Sequence, residues 1–292
     1  MLQLRVNQKN VATLIDGKAI AGKIETEVAA RVAALKETGA VPKLAVVLVG
    51  DDEASGVYVR RKGEAARRVG IDFNLHEFPS DIGKDEFIAK LREIQNDPAL
   101  AGLIIQIPVP EILYNSEVLN TIRRDIDVDC LTEENLGKLV MQSNFIVPPT
   151  PGAAVTILEE LNTDLTGKDV IVVGAGALVG KPLAIMLLNK KCTVTVCNSS
   201  TRDLKSKCLG ADIIISGVGK KGLIRGDMVK DGAVIIDAGI FMENGKTCGD
   251  VNMEDMKDKS VTVTPTPGGV GPVTVARLLL NTVICAERLN AK

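Results

Sequence analysis

Tryptophan is absent from this 292-residue chain, which holds only two tyrosines, five phenylalanines and one histidine. With His76 alone and no clustered ligands, neither a histidine-based catalytic triad nor a zinc site is expected. His76 stands in the alternating run Ile71 to Phe78 and reads as a strand residue. The six cysteines (Cys130, Cys192, Cys197, Cys208, Cys248 and Cys285) form no C-x-x-C pair. A chain of this size needs no disulfide staples, so reduced, mostly buried thiols are expected. Neither sign of charge dominates: 35 Lys and Arg face 37 Asp and Glu, a net charge of −2 that supplies no global field for nucleic acid or an anionic membrane. No apolar run approaches the length of a membrane span, and the opening MLQLRVNQKN lacks the pattern of a signal peptide. A cytoplasmic location is expected, with neither nucleic acid nor membrane as partner.

What the chain has is hydrophobic residues, 46% of the total, enough for a substantial core and, at this length, for two domains. Apolar runs of strand length alternate with amphipathic stretches, which predicts an α/β protein with parallel sheets covered by helices. Leu44 to Gly50, Ile71 to Phe78 and Gly102 to Val109 read as strands, with helices at Ala54 to Val69 and Lys84 to Asn96. Prolines break the pattern at Val147-Pro148-Pro149-Thr150-Pro151, the expected domain boundary. Beyond it come a helix near Ala153 to Leu161 and strands at Asp169 to Gly174, Cys192 to Asn198, Ala211 to Val218 and Ala233 to Gly239. A hairpin turn at Glu243 to Lys246 and a short strand at Val261 to Thr264 follow, and a closing helix runs over Val273 to Leu289.

Between one strand and the next helix lies Gly174-Ala175-Gly176-Ala177-Leu178-Val179-Gly180. Glycines there let the backbone approach a pyrophosphate while the helix amides stabilise its charge. The third glycine comes one residue later than in G-x-G-x-x-G, and a tight strand-to-helix turn without a ligand fits the motif as well. Gly217-Val218-Gly219 and Asp237-Ala238-Gly239-Ile240 follow two later strands, which places glycine-bearing ends on the sheet edge where open α/β folds bind cofactors.

Tyr58 and Lys62 stand one helical turn apart and share a face. Desolvation, or the charges of Arg60 and Arg61, would lower the lysine pKa towards a range useful for proton transfer. A surface helix with a basic face satisfies the same spacing. Short-chain dehydrogenases also carry Y-x-x-x-K, but after their nucleotide turn, whereas here the pair precedes Gly174.

Separated blocks, in order, resemble the bifunctional methylenetetrahydrofolate dehydrogenase and methenyltetrahydrofolate cyclohydrolase family almost from end to end. They are Ile15-Asp16-Gly17-Lys18; Val49-Gly50 with Ser55, Tyr58 and Lys62; Gln106-Ile107-Pro108-Val109-Pro110; Asp127-Val128-Asp129; and Pro265 to Thr274, similar to the family's P-V-P-G-G-V-G-P-M-T. Departures are Thr266 and Val273 in that last run, Cys130 where the family usually has glycine, Pro149 within its P-C-T-P block, and Gly174-Ala175-Gly176 where G-x-S is usual.

The resemblance implies a folate-binding catalytic domain over residues 1–147, completed by the C-terminal helix 273–292, and a Rossmann-type domain over 148–272. Lys62 would be the central catalytic group, assisted by Tyr58 and hydrogen-bonded by Gln106. Asp129 would hold the pterin, and Gly268, Gly269 and Pro272 would shape the folate cleft. NADP, with NAD as the alternative, would lie on Gly174, Ala175, Gly176, Val179, Gly180, Ser199, Ser200, Arg202, Gly217, Val218, Gly219, Asp237, Gly239 and Ile240. The strand before Ser199 ends Val196-Cys197-Asn198, without an acid to repel a 2′-phosphate, which favours NADP. The implied activity is oxidation of 5,10-methylenetetrahydrofolate and hydrolysis of the methenyl product to 10-formyltetrahydrofolate by a homodimer. A dehydrogenase without efficient hydrolysis and a silent folate-binding protein are the competing readings.

Overall fold

The computed structural model describes residues 11–243 and 246–291. In chain order its elements are β1 (Thr13–Leu14), α1 (Gly17–Glu37), β2 (Lys43–Val49), α2 (Glu53–Arg68), β3 (Asp72–Phe78), α3 (Lys84–Ile94), β4 (Leu100–Ile105), α4 (Ser116–Leu119), α5 (Glu133–Val140) and α6 (Pro149–Glu160). Then follow β5 (Asp169–Val173), α7 (Gly180–Asn189), β6 (Thr193–Cys197), α8 (Leu204–Leu209), β7 (Ile213–Ser216), β8 (Val234–Asp237), β9 (Phe241–Glu243), β10 (Lys246–Cys248), α9 (Met253–Met256), β11 (Thr262–Val263) and α10 (Val270–Asn290).

Two compact units result. The first comprises Lys18–Ile157 and Pro272–Lys292, so the closing helix returns to the amino-terminal half of the chain. Its parallel sheet has the order β3-β2-β4. All but the first residue of KLAVVLV in β2 are buried, as a central strand requires. Asp52 starts α2 by accepting the Ser55 amide at 2.7 Å. The strand predicted to run to Val109 ends at Ile105, because Pro108 and Pro110 offer no ladder amides, and Gln106 to Pro110 leave the sheet as a loop. By length and composition α10 could cross a membrane, contrary to the expectation of no such stretch. It is instead mostly buried, and its Glu287 bonds Arg31 through both carboxylate oxygens, at 2.9 and 2.6 Å.

The second unit holds Leu158–Gly271 and the residues before Lys18. Its parallel sheet has the order β1-β11-β8-β7-β5-β6. From β5 the chain steps one way to β6 and then the other way to β7, and the strand order reverses at that point. Of the prolines at the expected boundary, Pro149 and Pro151 stand in the first turn of α6, where a missing amide is harmless. The division falls after Ile157. The segment before Gly17, expected in the first domain, pairs as β1 with β11. Strands β9 and β10 form the predicted hairpin, whose turn residues Asn244 and Gly245 lie outside the described residues.

Candidate active site

In the first unit, α2 and the end of β4 bring a lysine and an amide together. Lys62 Nζ donates to Gln106 Oε1 at 2.9 Å, and Gln106 Nε2 donates to the Ile107 carbonyl at 2.8 Å. That second bond orients the amide so that oxygen, not nitrogen, faces the lysine. The backbone beneath is held by the Gln106 amide on the Val47 carbonyl of β2, at 2.8 Å. Burial pushes the Lys62 pKa down, opposed by the charge of Asp129. Burial pushes Asp129 up, opposed by Lys62 and reinforced by Asp127. The pair is therefore electrostatically coupled, and each partner is driven towards neutrality. Tyr58, one turn before Lys62 on α2 and half-buried, is also raised by burial, with Arg61 pulling it down.

The two acids of Asp127-Val128-Asp129 have different tasks. Asp127 is fully buried, and its carboxylate accepts from the Leu131 amide (2.9 Å), the Thr132 amide and hydroxyl (3.0 and 2.7 Å) and Asn135 Nδ2 (2.9 Å). From α10, Asn281 Nδ2 donates to the Val128 carbonyl at 2.8 Å and the Val147 carbonyl at 2.7 Å. Asp127 and Asn281 thus fix the backbone on either side of the position that carries Asp129. Neither role was visible in the sequence, since one motif holds both acids and Asn281 lies in an ordinary helical pattern. Pro272 sits in the first turn of α10.

The second unit assembles the glycine-bearing strand ends. Gly174, after β5, has φ +112°, and a Cβ on it would lie 2.9 Å from the Gly217 carbonyl oxygen, after β7. A Cβ on Gly180, at the start of α7, would lie 1.9 Å from the Gly174 carbonyl oxygen. By contrast, a Cβ on Gly176 would meet nothing within 4 Å. So Gly174 and Gly180 permit close packing, while Gly176 leaves its backbone approachable. Val179 provides no side-chain cap for α7. This geometry, at the point where strand order reverses, fits a dinucleotide pyrophosphate. Val218 and Ile240 stand beside it 47% and 41% exposed, apolar surface suited to flat rings.

The Gly174 amide donates to the Cys197 carbonyl at 2.8 Å, so the exposed loop carrying Ser199, Ser200 and Arg202 begins beside the glycine turn. Asn198 Oδ1 shapes it by accepting the Ser200 amide at 2.9 Å. Asp237 differs from its expected role, because its carboxylate is buried and accepts the amides of Gly239, Asp250 and Val251 at 3.0 to 3.1 Å. It is a bracing group rather than one aimed at a ligand. Gly268 and Gly269 precede α10 in the same unit, against Gly17.

Comparison with known proteins agrees with this geometry. Residues 15–129 match the catalytic domain, and residues 148–290 the NAD(P)-binding domain, of the tetrahydrofolate dehydrogenase/cyclohydrolase family. The chain belongs to that family. The bifunctional protein FolD of Polaromonas naphthalenivorans is 44% identical over 278 residues, covering 95% of this chain and 99% of that one. The crystal structure of the bifunctional FolD methylenetetrahydrofolate dehydrogenase/cyclohydrolase from Campylobacter jejuni superposes with a TM-score of 0.91 at 40% identity, covering 95% of this chain and 99% of that chain. The Trypanosoma brucei enzyme, solved with NADP and an inhibitor, gives a TM-score of 0.91 at 33% identity, with coverages of 95% and 98%. With family membership, the two-domain α/β architecture and the pairing of a folate unit with a nucleotide unit stand as expected.

Proposed function

We propose that the chain oxidises 5,10-methylenetetrahydrofolate with NADP and hydrolyses the resulting methenyl cation to 10-formyltetrahydrofolate. The observation that carries this reading is the Lys62–Gln106 hydrogen bond, on a half-buried lysine whose pKa desolvation lowers against the opposing charge of Asp129. When bound, NADP accepts the hydride. The protein's part in that step is orientation and exclusion of water. In hydrolysis, water oxygen bonds to the methenyl carbon and its proton passes to neutral Lys62. The bond from that carbon to N5 then breaks as N5 takes up a proton and the added hydroxyl loses its own to become the formyl carbonyl, so the overall reaction releases one proton. Gln106 holds the lysine at a fixed atom, and burial favours the neutral amine. Tyr58 stacks on the substrate and assists proton movement, while the Asp129 carboxylate accepts from the amine and ring nitrogen of the pterin. The same unit would serve both reactions. Loss of methenyl absorbance and gain of reduced nicotinamide, followed separately, test the two steps. Activity in one assay alone contradicts the bifunctional reading.

We also propose a homodimer, joined through β3. Strand β3 is an edge strand with no fully buried residue, and it presents Leu75 at 41% exposure. An unpaired strand edge with apolar side chains is a surface that a second copy can complete. A particle of monomer mass in light scattering at micromolar concentration contradicts it. The five buried free thiols accord with a reducing compartment, and the cytoplasm is the proposed location.

A further inference from the structure

Asp250 lies just after the β9–β10 hairpin, outside every motif singled out in the sequence, and it is fully buried. Its Oδ2 accepts the Ser216 hydroxyl at 2.6 Å and the Val218 amide at 2.8 Å, and its Oδ1 accepts the Lys220 amide at 2.7 Å. The Asp250 amide in turn donates to Asp237 Oδ1 at 3.0 Å, and the Val251 amide to Asp237 Oδ2 at 3.0 Å. Two neighbouring acids thus hold each other's surroundings. Asp237 fixes the backbone that carries Asp250, and Asp250 fixes the loop after β7.

Glycines make room for this arrangement. A Cβ on Gly239 would lie 2.2 Å from Asp250 Oδ1, and one on Gly249 would lie 2.0 Å from Asp237 Oδ2. Placing two carboxylates side by side in a protein interior is costly unless both are fully hydrogen-bonded. Each accepts three protein donors here, and those of Asp250 converge on one short loop. That loop carries exposed Val218 and Gly219, whose φ is +76°. It also carries the Gly217 carbonyl packed against Gly174 of the glycine turn.

We infer that Asp250 is a positioning residue for NADP: by accepting from Ser216, Val218 and Lys220 it holds the Gly217–Gly219 loop in the shape that receives the cofactor. The inference rests on the use of NADP given under Proposed function, with the cofactor on this sheet edge. An asparagine at 250 would place an NH2 group against either the Lys220 amide or the Val218 amide, donor against donor, and the loop would relax away from its bound shape.

The test measures NADP affinity by calorimetry and steady-state dehydrogenase kinetics for Asp250→Asn, Ser216→Ala and Ala175→Glu, with thermal melting as the measure of folding. Asp250→Asn is expected to raise Kd and KM for NADP about tenfold, while KM for methylenetetrahydrofolate moves by less than about twofold. Ser216→Ala removes a single donor and is expected to give a smaller rise of the same kind. If Asp250→Asn melts early, Ser216→Ala decides. Folded variants that bind NADP like the parent overturn the inference, and so does an equal loss for folate and NADP. Ala175→Glu puts a negative charge on the glycine turn. If it leaves NADP binding unchanged, the nucleotide reading of this edge fails, independently of Asp250.

Discussion

Gly17 and Gly269, from opposite ends of the sequence, pack so closely that a Cβ on Gly17 would lie 1.9 Å from the Gly269 carbonyl oxygen. Strand β1 lies beside β11, which brings the opening block of the sequence against its most distinctive closing block. A contact with backbone cannot be relieved by a side-chain rotation, so Gly17→Ala forces the two segments apart. Overpacking of this kind costs about 1 to 3 kcal/mol. Urea unfolding of the variant is expected to show a lower midpoint, and a midpoint equal to the parent's contradicts the packing described.

Cys130 explains why this position usually carries glycine. Its φ is +55°, a left-handed conformation that strains any side chain, yet the residue is buried. Burial also pushes the thiol pKa well up, so it remains a neutral packing group. Cys130→Ala loses the sulfur and keeps the strain, whereas Cys130→Gly loses the sulfur and relieves it. The glycine variant should be the more stable of the two by about 1 kcal/mol. Equal stabilities, or a more stable alanine variant, contradict this account.

The pH dependence of stability carries a signature of Asp237. Burial pushes its pKa up to about 6 from 3.8, with the charge of Asp250 adding to the rise and the backbone amides opposing it. The folded state therefore holds this proton more tightly than the unfolded chain. Its contribution to stability is fully present below pH 3.8 and is lost as pH rises through about 6. The loss amounts to roughly 3 kcal/mol. Relative to Asp237→Asn, the parent should lose stability between these pH values, as measured by denaturant unfolding across the range. Parallel pH profiles for the two proteins contradict it.

Much of the fold was legible because buried parallel strands announce themselves as apolar runs, as KLAVVLV does in β2. The two-residue strand β1 did not, being too short for any period to show, whereas β11 falls within the short strand expected at Val261 to Thr264. Prolines misled once, by ending β4 early. Within the site, Lys62, Gln106 and the bond between them followed from the family blocks, and the bond is present at 2.9 Å. The difference between Asp127 and Asp129 was not legible, because it depends on which acid meets Thr132 and Asn135 in three dimensions. Asp250 was hidden for the same reason: its partners, Ser216 to Lys220, close and follow β7, 30 to 34 residues away in sequence.

Cofactor choice turns on the loop beside the glycine turn. Ser199, Ser200 and Arg202 are exposed there, and no acid ends β6, an arrangement suited to a 2′-phosphate. Asp203, however, follows directly and caps α8 by accepting the Ser206 amide at 3.1 Å, which places a negative charge in the same loop. A modest preference for NADP over NAD is expected, weakened by Ser199→Ala and Arg202→Ala and strengthened by Ala175→Arg. Steady-state kinetics with both cofactors checks this. A higher kcat/KM for NAD, unchanged by either alanine substitution, shows that the loop does not read the phosphate.

The central claim is that Lys62 handles protons for hydrolysis. Replacing it by methionine keeps the stem and removes the amine, so α2 should remain folded. Hydrolysis of methenyltetrahydrofolate by Lys62→Met is the most direct measurement. The account predicts a loss of at least about a hundredfold, with a smaller fall in dehydrogenase activity and an unchanged melting temperature. Hydrolysis at the parent's rate by a folded Lys62→Met protein would contradict it.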